Sequence, residues 1–395
     1  MPDNYLITPF GYAHPSCVIE LAQGDTQVDH GHAIQHQDGS ITQIAPCAYP
    51  SYTAKGEKIA QGQSAQNTLQ NQPSISHSWI EDYETTSNTS FGELVASWTV
   101  PQAPTSNDGQ ILFFFPGFED YTDTVRILQP VLGWNSDFSS AWGIASWNYS
   151  PDGNSWESSA TRVNPGDTIS GSIQSTCSAG TLTCPSWNVV TNDETTGQGT
   201  SLLSTASEGQ TFNWASAAAL EVYNVSQCSD YPANGQITFP YVRLYDNSFN
   251  LISTPGWTFE NRSAGWPPQC NYGGEQNTGL VTLIYGPPQA PITYTNNTTP
   301  SPSQCYEYPF GNESCYLTYS ASFSVEPSET LYINGSAINA DFYSYSQNEY
   351  WGSGQCGYIY DQGYQCWGYA VPKPQINAYA TEPGYSDSNI IDISF

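Results

Sequence analysis

The sequence predicts an all-β protein: an antiparallel two-sheet sandwich or jelly roll, with an N-terminal segment before it and a small β-rich domain after it. Three observations lead there. Tyr (28), Trp (12), Gly (33) and Pro (28) are abundant in 395 residues, a mixture of strand-favouring aromatics and turn formers. From Ser76 to about Gly286, short apolar or alternating runs are separated by turn residues at regular spacing, the signature of a sandwich. Helix-type periodicity is almost absent throughout.

Residues 1–72 read as a separate segment and linker, a prosegment or a small permanent β-subdomain. Within it, Ala33–His36, an Asp38-Gly39 turn and Ser40–Ile44 form a hairpin pattern. Lys55 to Gln72 is polar and Gln-rich, with little to bury, and Lys55 and Lys58 make it an accessible place for processing. The sandwich is expected over 73–286. Its many short strands include Glu93–Val100, Ile111–Phe115, Val125–Leu132, Thr168–Ile173, Trp187–Thr191, Ala219–Val225 and Gln236–Tyr245. Residues 287–304, rich in Pro, Thr and Asn, read as a linker, and 305–395 as a Tyr-dense, disulfide-containing accessory domain.

Composition removes several functions. Seven Lys+Arg stand against 36 Asp+Glu, a formal net charge of −29, so no nucleic-acid partner is expected, because phosphate contacts need basic patches. Charged residues total only 11%, so the acidity reflects missing cations. Few ion pairs are then open to disruption by acid, and self-repulsion fades as carboxylates protonate. No apolar run reaches membrane-spanning length and no signal peptide is visible. The ten cysteines fall in near-neighbour pairs, Cys17/Cys47, Cys177/Cys184, Cys228/Cys270, Cys305/Cys315 and Cys356/Cys366. Their even number and local spacing favour disulfides and a secreted, extracellular protein. Sequons at Asn88, Asn148, Asn224, Asn261, Asn296, Asn297, Asn312 and Asn334 allow glycosylation in a eukaryotic host.

Histidine is confined to positions 14, 30, 32, 36 and 77. Beyond His77, at its very start, the main body therefore has no imidazole for a Ser-His-Asp or Cys-His mechanism, and it has no HExxH zinc helix. Acid–base chemistry there must use carboxylates and neutral amides. His30, His32 and His36 are read as surface residues, or as a pH trigger in a prosegment. Asp120 and Asp123 offer only a weak calcium alternative, and no cofactor or metal is expected.

Two residues stand out. Gln129 lies in Arg126-Ile127-Leu128-Gln129-Pro130, where period-2 alternation places Ile127, Gln129 and Val131 on one face. Glu221 is a lone carboxylate in the apolar strand Ala218–Tyr223. Burial there should raise its pKa, so it is either held structurally or kept for function.

From about 90 to 250 the chain resembles the eqolisin-type glutamic peptidases. The resemblance rests on Ala96-Ser97-Trp98-Thr99-Val100-Pro101, Phe115-Pro116-Gly117-Phe118-Glu119, Ile127-Leu128-Gln129, Ala141-Trp142, Asn164-Pro165-Gly166-Asp167 and Ala219-Leu220-Glu221-Val222, in the family's order. Pro130 and Val131 stand where the family has a small residue and glycine. Because Pro130 cannot donate to a ladder, its strand is expected at an edge or bulge.

The resemblance implies a concanavalin-like sandwich and a secreted acid endopeptidase acting, as a monomer, on protein or peptide substrates. It implies that Glu221 takes a proton from a water shared with Gln129, whose amide donates to the oxyanion. Trp142, Phe115, Trp134 and Trp147 would line the cleft, and Glu119 would orient Gln129 or the water. The alternatives are a β-sandwich glycoside hydrolase using Glu119 or Glu157 beside Glu221, a secreted carbohydrate-binding protein without peptidase activity, and an inactive relative.

Overall fold

In a computed structural model the described residues are 4–59 and 79–286, apart from 121–122, 151, 208 and 265–267, together with strand segments between 292 and 394. The chain divides into two compact units, Met1–Gly286 and Pro287–Phe395.

In the first unit, the N-terminal segment contributes β1 (Leu6–Thr8), β2 (Gly11–Ala13), β3 (Val18–Leu21), β4 (Thr26–Val28), β5 (Ala33–Gln35), β6 (Ile41–Gln43), β7 (Ser51–Tyr52) and β8 (Lys58–Ile59). The β5–β6 hairpin matches the sequence pattern, with Ala33 opposite Gln43. The body begins with β9 (Trp79–Thr86), β10 (Phe91–Thr99), β11 (Ile111–Asp120), β12 (Asp123–Trp134), β13 (Trp142–Tyr149), β14 (Ser155–Ser158) and β15 (Thr161–Val163). It continues with β16 (Thr168–Ser175), β17 (Ser186–Asp193), β18 (Gln198–Ala206), β19 (Trp214–Tyr223), β20 (Gln236–Phe239), β21 (Tyr241–Asp246), β22 (Thr258–Asn261), β23 (Gly273–Asn277) and β24 (Leu280–Ile284).

Two sheets make the sandwich. One runs β18-β17-β16-β10-β21; the other runs β22-β9-β19-β11-β12-β13-β14-β3, with β15 also on β13. Alternation decides what lies between them. Leu112, Phe114 and Phe118 of β11, Leu128 and Leu132 of β12 and Ile144 of β13 meet Leu94, Ala96, Trp98, Ile169, Ile173 and Val189 in one apolar core. At about 25 cal/mol per Å² of apolar surface, this burial is the main source of the unit's stability.

The next residue along each strand points the other way. Phe113, Phe115, Ile127, Val131, Ala145, Trp147, Tyr149, Ala219 and Tyr223 form a second buried cluster on the outer face of the larger sheet, and Tyr12 of β2 belongs to it. The N-terminal segment is what covers this face. Its β3 adds to the sheet edge as a parallel neighbour of β14, with Val18 opposite Ser155 and Leu21 opposite Ser158.

Two sequence expectations need correction. The run Gln236–Tyr245 is two strands in different sheets, β20 and β21, broken at Pro240, which has no N–H to continue a ladder. Pro130 does not mark an edge: β12 lies between β11 and β13. Its ring instead packs across the sandwich against Gly171, where an added Cβ would meet Pro130 Cγ at 2.7 Å. The β11–β12 ladder is interrupted between Phe114↔Leu132 and Phe118↔Leu128, beside Pro116 and Pro130, so the missing donors open the sheet locally rather than end it.

Disulfides join Cys17 to Cys47, Cys177 to Cys184 and Cys228 to Cys270. In the second unit Cys305 stands opposite Cys315 and Cys356 opposite Cys366 in antiparallel ladders. The stretch read as a linker is partly strand, Ile292–Tyr308. Among the described residues no helix is long and apolar enough to cross a membrane.

Candidate active site

The pairing of β12 with β11 keeps the same offset on both sides of its gap, which places Gln129 opposite Gly117. Gly117 in turn stands opposite Ser216 of β19, and Ser216 opposite Glu84 of β9. These residues share the outer face. Gly117 brings no side chain, and an added Cβ would meet Ile127 Cδ1 at 3.3 Å. A bare patch of backbone therefore separates Gln129 from Ser216.

Glu221 lies on the same face but not in this row. It stands opposite Phe113, and Phe113 opposite Gly133. Gln129 and Gly133 are four residues apart on one strand, about 14 Å at about 3.4 Å per residue, and β11 intervenes between β12 and β19. The structure thus puts Glu221 and Gln129 on one surface without making them neighbours. Glu221 is fully buried; its Oε2 accepts from Trp79 Nε1 at 3.2 Å and its Oε1 from the Tyr223 hydroxyl at 2.5 Å.

The carboxylate closest to Gln129 by register is Glu119. It pairs with Ile127, two residues before Gln129, which makes it the diagonal neighbour on the same face, at about 7–8 Å between Cα atoms. The sequence places it just beyond the expected strand Ile111–Phe115; it lies within β11 at 2% exposure. Burial pushes its carboxyl well above the ordinary range, Asp82, Glu84 and Glu221 push it further, and Arg262 opposes them. Arg262 Nε donates to Asp82 Oδ1 at 2.7 Å and its Nη2 to Glu84 Oε2 at 2.7 Å. Even so, burial outweighs the guanidinium and holds Asp82 up at about 7.

Three polar atoms around the bare Gly117 are buried without a hydrogen-bond partner among the described residues: Gln129 Oε1, Glu119 Oε2 and Ser216 Oγ. Orphaned polar atoms are expensive in a finished core. Set around Gly117, these three oxygens could accept hydrogen bonds from a ligand or water. Ser216 was not singled out from sequence, where it is one more small residue in Trp214–Ala219. Only the bulge between Ser216 and Ala218 turns it onto this face beside Glu84.

Gln129 Nε2 is occupied. It donates to the backbone carbonyl of Pro9 at 2.9 Å. Pro9 sits at the turn between β1 and β2, so a peptide carbonyl of the N-terminal segment rests on the amide of the site.

The aromatic residues divide. Phe115 and Trp147 lie on the site face, Trp147 directly opposite Gln129. Trp134 and Trp142 do not line it; they pack together in the sandwich core with ring centroids 5.2 Å apart. Glu157 lies beyond Trp147 in the same row, opposite Glu20 of β3. Burial, with Asp137 and Glu20 adding, pushes its carboxyl up to about 10.

Of the histidine cluster, His30 is exposed, and His36 makes its contacts within its own segment. His36 Nδ1 is 2.8 Å from Asp25 Oδ2 and its Nε2 is 2.8 Å from Thr42 Oγ1; His77 lies outside the described residues. No group of three or more potential metal ligands is present among the described residues. The Asn148 side-chain amide is buried against Thr205 and Ala206, which removes that sequon from glycosylation in the folded chain.

No family model and no curated protein matches the sequence. Among solved structures the chain is similar to scytalido-glutamic peptidase with a peptide-based transition-state analogue, with a TM-score of 0.38 and 16% identity over 53% of this chain and 98% of that one. A second structure of scytalido-glutamic peptidase, with a transition-state analogue inhibitor, gives a TM-score of 0.39 and 17% identity, covering 53% and 98%. A member of the eqolisin family of peptidases in complex with the tripeptide Ala-Ile-His gives 0.37 and 17%, covering 52% and 98%. The sequence motifs at 90–250 resemble the same group of peptidases.

Proposed function

We propose that the chain is a secreted endopeptidase that works in acidic media, in which Gln129 holds the substrate carbonyl and Glu119 is the acid–base group. The observation that carries this reading is the Gln129 amide donating to the Pro9 carbonyl at 2.9 Å. An N–H aimed at a peptide oxygen is what an oxyanion-stabilising donor must supply. A water in the gap over Gly117 would attack that carbonyl. Glu119, when ionised, would take its proton and pass it to the leaving nitrogen.

With the N-terminal hairpin in place, Glu119 is buried and its carboxyl is pushed well above the ordinary range. A neutral carboxyl is not a base. Displacing the hairpin rehydrates it and lowers its pKa toward a working value, so the covered form is the resting one. Residues 1–59 then act as a removable cover, the prosegment reading of the sequence. Cys17–Cys47 is internal to this segment, and no disulfide among the described residues ties it to 79–286. Glu221, held by Trp79 and Tyr223, acts on Glu119 through its charge rather than taking the proton of the attacking water.

The test uses the full chain with a specific protease site placed between residues 60 and 78. Cutting there and assaying an unfolded protein substrate at pH 3 to 7 should reveal peptide-bond hydrolysis. Gln129→Ala should reduce it by about 100- to 1,000-fold, the usual effect of losing one oxyanion donor. Hydrolysis that survives the substitution would remove Gln129 from its role. A second reading is peptide binding without cleavage, favoured by the distance of Glu221 from Gln129; it predicts bound peptide and no products at any pH.

A further inference from the structure

We propose that the ring of Tyr149 is the floor of a subsite for an aromatic side chain, and that preferred substrates carry an aromatic residue immediately after the carbonyl held by Gln129. The inference rests on the site reading above and names the substrate class of that site.

The β1–β2 hairpin supplies the argument. Its turn places two consecutive residues on the site face. The first, Pro9, gives its carbonyl to Gln129 Nε2 at 2.9 Å. The second, Phe10, stacks on Tyr149 with centroids 3.9 Å apart and planes 18° from parallel. Tyr149 stands opposite Ile127 on the neighbouring strand, while Gln129 is opposite Trp147. Amide and ring are therefore diagonal neighbours, spaced for one peptide unit and the side chain after it.

In the covered form the Tyr149 ring is buried at 4% exposure, with its hydroxyl 2.9 Å from Ser51 Oγ of the same N-terminal segment. Stacked or edge-on ring pairs of this kind contribute beyond their area burial. Farther along the hairpin, Tyr12 meets Tyr223 edge-on at 5.3 Å, and Tyr223 donates to Glu221. The hairpin thus lies across the face from Gln129 to the Glu221 pocket, as an extended peptide would.

Competition between this hairpin and free peptides gives a test that needs no bond cleavage. The full chain is cut between 60 and 78 at the introduced protease site, and release of the N-terminal fragment is followed by gel filtration. Two blocked peptides, Gly-Pro-Phe-Gly and Gly-Pro-Ala-Gly, are titrated against it. The Phe peptide should release the fragment at about tenfold lower concentration than the Ala peptide, the scale of one ring–ring contact. Tyr149→Phe should keep the preference, Tyr149→Leu should erase it, and Phe10→Ala should lower the concentration needed of both peptides. Equal potency of the two peptides, no release by either, or a preference that survives Tyr149→Leu would overturn the proposal. Because the readout is displacement, a preference without hydrolysis defeats only the peptidase reading. Hydrolysis indifferent to the residue after the carbonyl defeats only this one.

Discussion

The two faces of the larger sheet are made from the same strands and differ in what they are prepared to lose. Its inner face, with Phe114, Phe118, Leu128 and Leu132, is closed permanently by the second sheet. Its outer face carries Gln129, Glu119, Ser216, Glu84 and Asp82 among its aromatics, several with unsatisfied polar atoms, and is closed by a segment that no disulfide among the described residues ties to it. The inner face is sealed by the second sheet, although the indole N–H groups of Trp134 and Trp142 go without a partner there among the described residues; the outer face keeps the oxygens of Gln129, Glu119 and Ser216 without partners under a separate segment.

The contrast can be broken most severely from the inside. Phe114→Ala should destabilise the unit by about 3–5 kcal/mol, the range for deleting a fully buried aromatic. Phe10→Ala, on the half-buried turn, should cost about 1 kcal/mol or less. Denaturant unfolding of the two variants measures both; equal losses would mean that the cover is as much core as the sandwich.

The next effect is a pH dependence. Burial raises Glu81, Asp82, Glu119 and Glu157 above their unfolded values, Asp82 to about 7 and Glu157 to about 10. For a raised carboxyl the native state binds more protons than the unfolded one. The stabilisation is therefore complete below about pH 4 and is lost as pH rises through the folded pKa. Thermal unfolding should occur at higher temperature at pH 4 than at pH 8, and Asp82→Asn should flatten the change between about pH 4 and 7. A melting temperature that rises from pH 4 to 8 would sink this account of acid tolerance. The smallest effect belongs to exposed apolar positions: Leu203→Ser on β18 should stay within about 0.5 kcal/mol by the same unfolding assay.

Much of this was legible in the sequence. Period-2 alternation gave most body strands of the sandwich, the Asp38-Gly39 turn gave a hairpin, and near-neighbour spacing gave the three disulfides of the first unit. Alternation within one strand also put Gln129 on the face opposite Leu128. It could not say which acid stands beside that amide, because this depends on register between strands. The register in turn depends on the irregularities at Phe115/Gly117 and Ser216–Ala218, which have no period. Ser216 and Asp82 therefore escaped, Glu119 was read only as a residue orienting Gln129 or the water, and Glu221 drew attention by its apolar neighbours. Trp134 and Trp142 were misplaced for a related reason: aromatic character does not tell one sheet face from the other. Pro9 and Phe10 gave no signal at all, since only tertiary docking brings them to Gln129 and Tyr149.

The choice between the two glutamates is the most direct test. In the cut full chain, peptide hydrolysis should fall by at least about 100-fold in Glu119→Gln, the scale of a general acid–base group, and by less than about tenfold in Glu221→Gln. The reverse order, with Glu221→Gln inactive and Glu119→Gln nearly intact, would contradict the site described above.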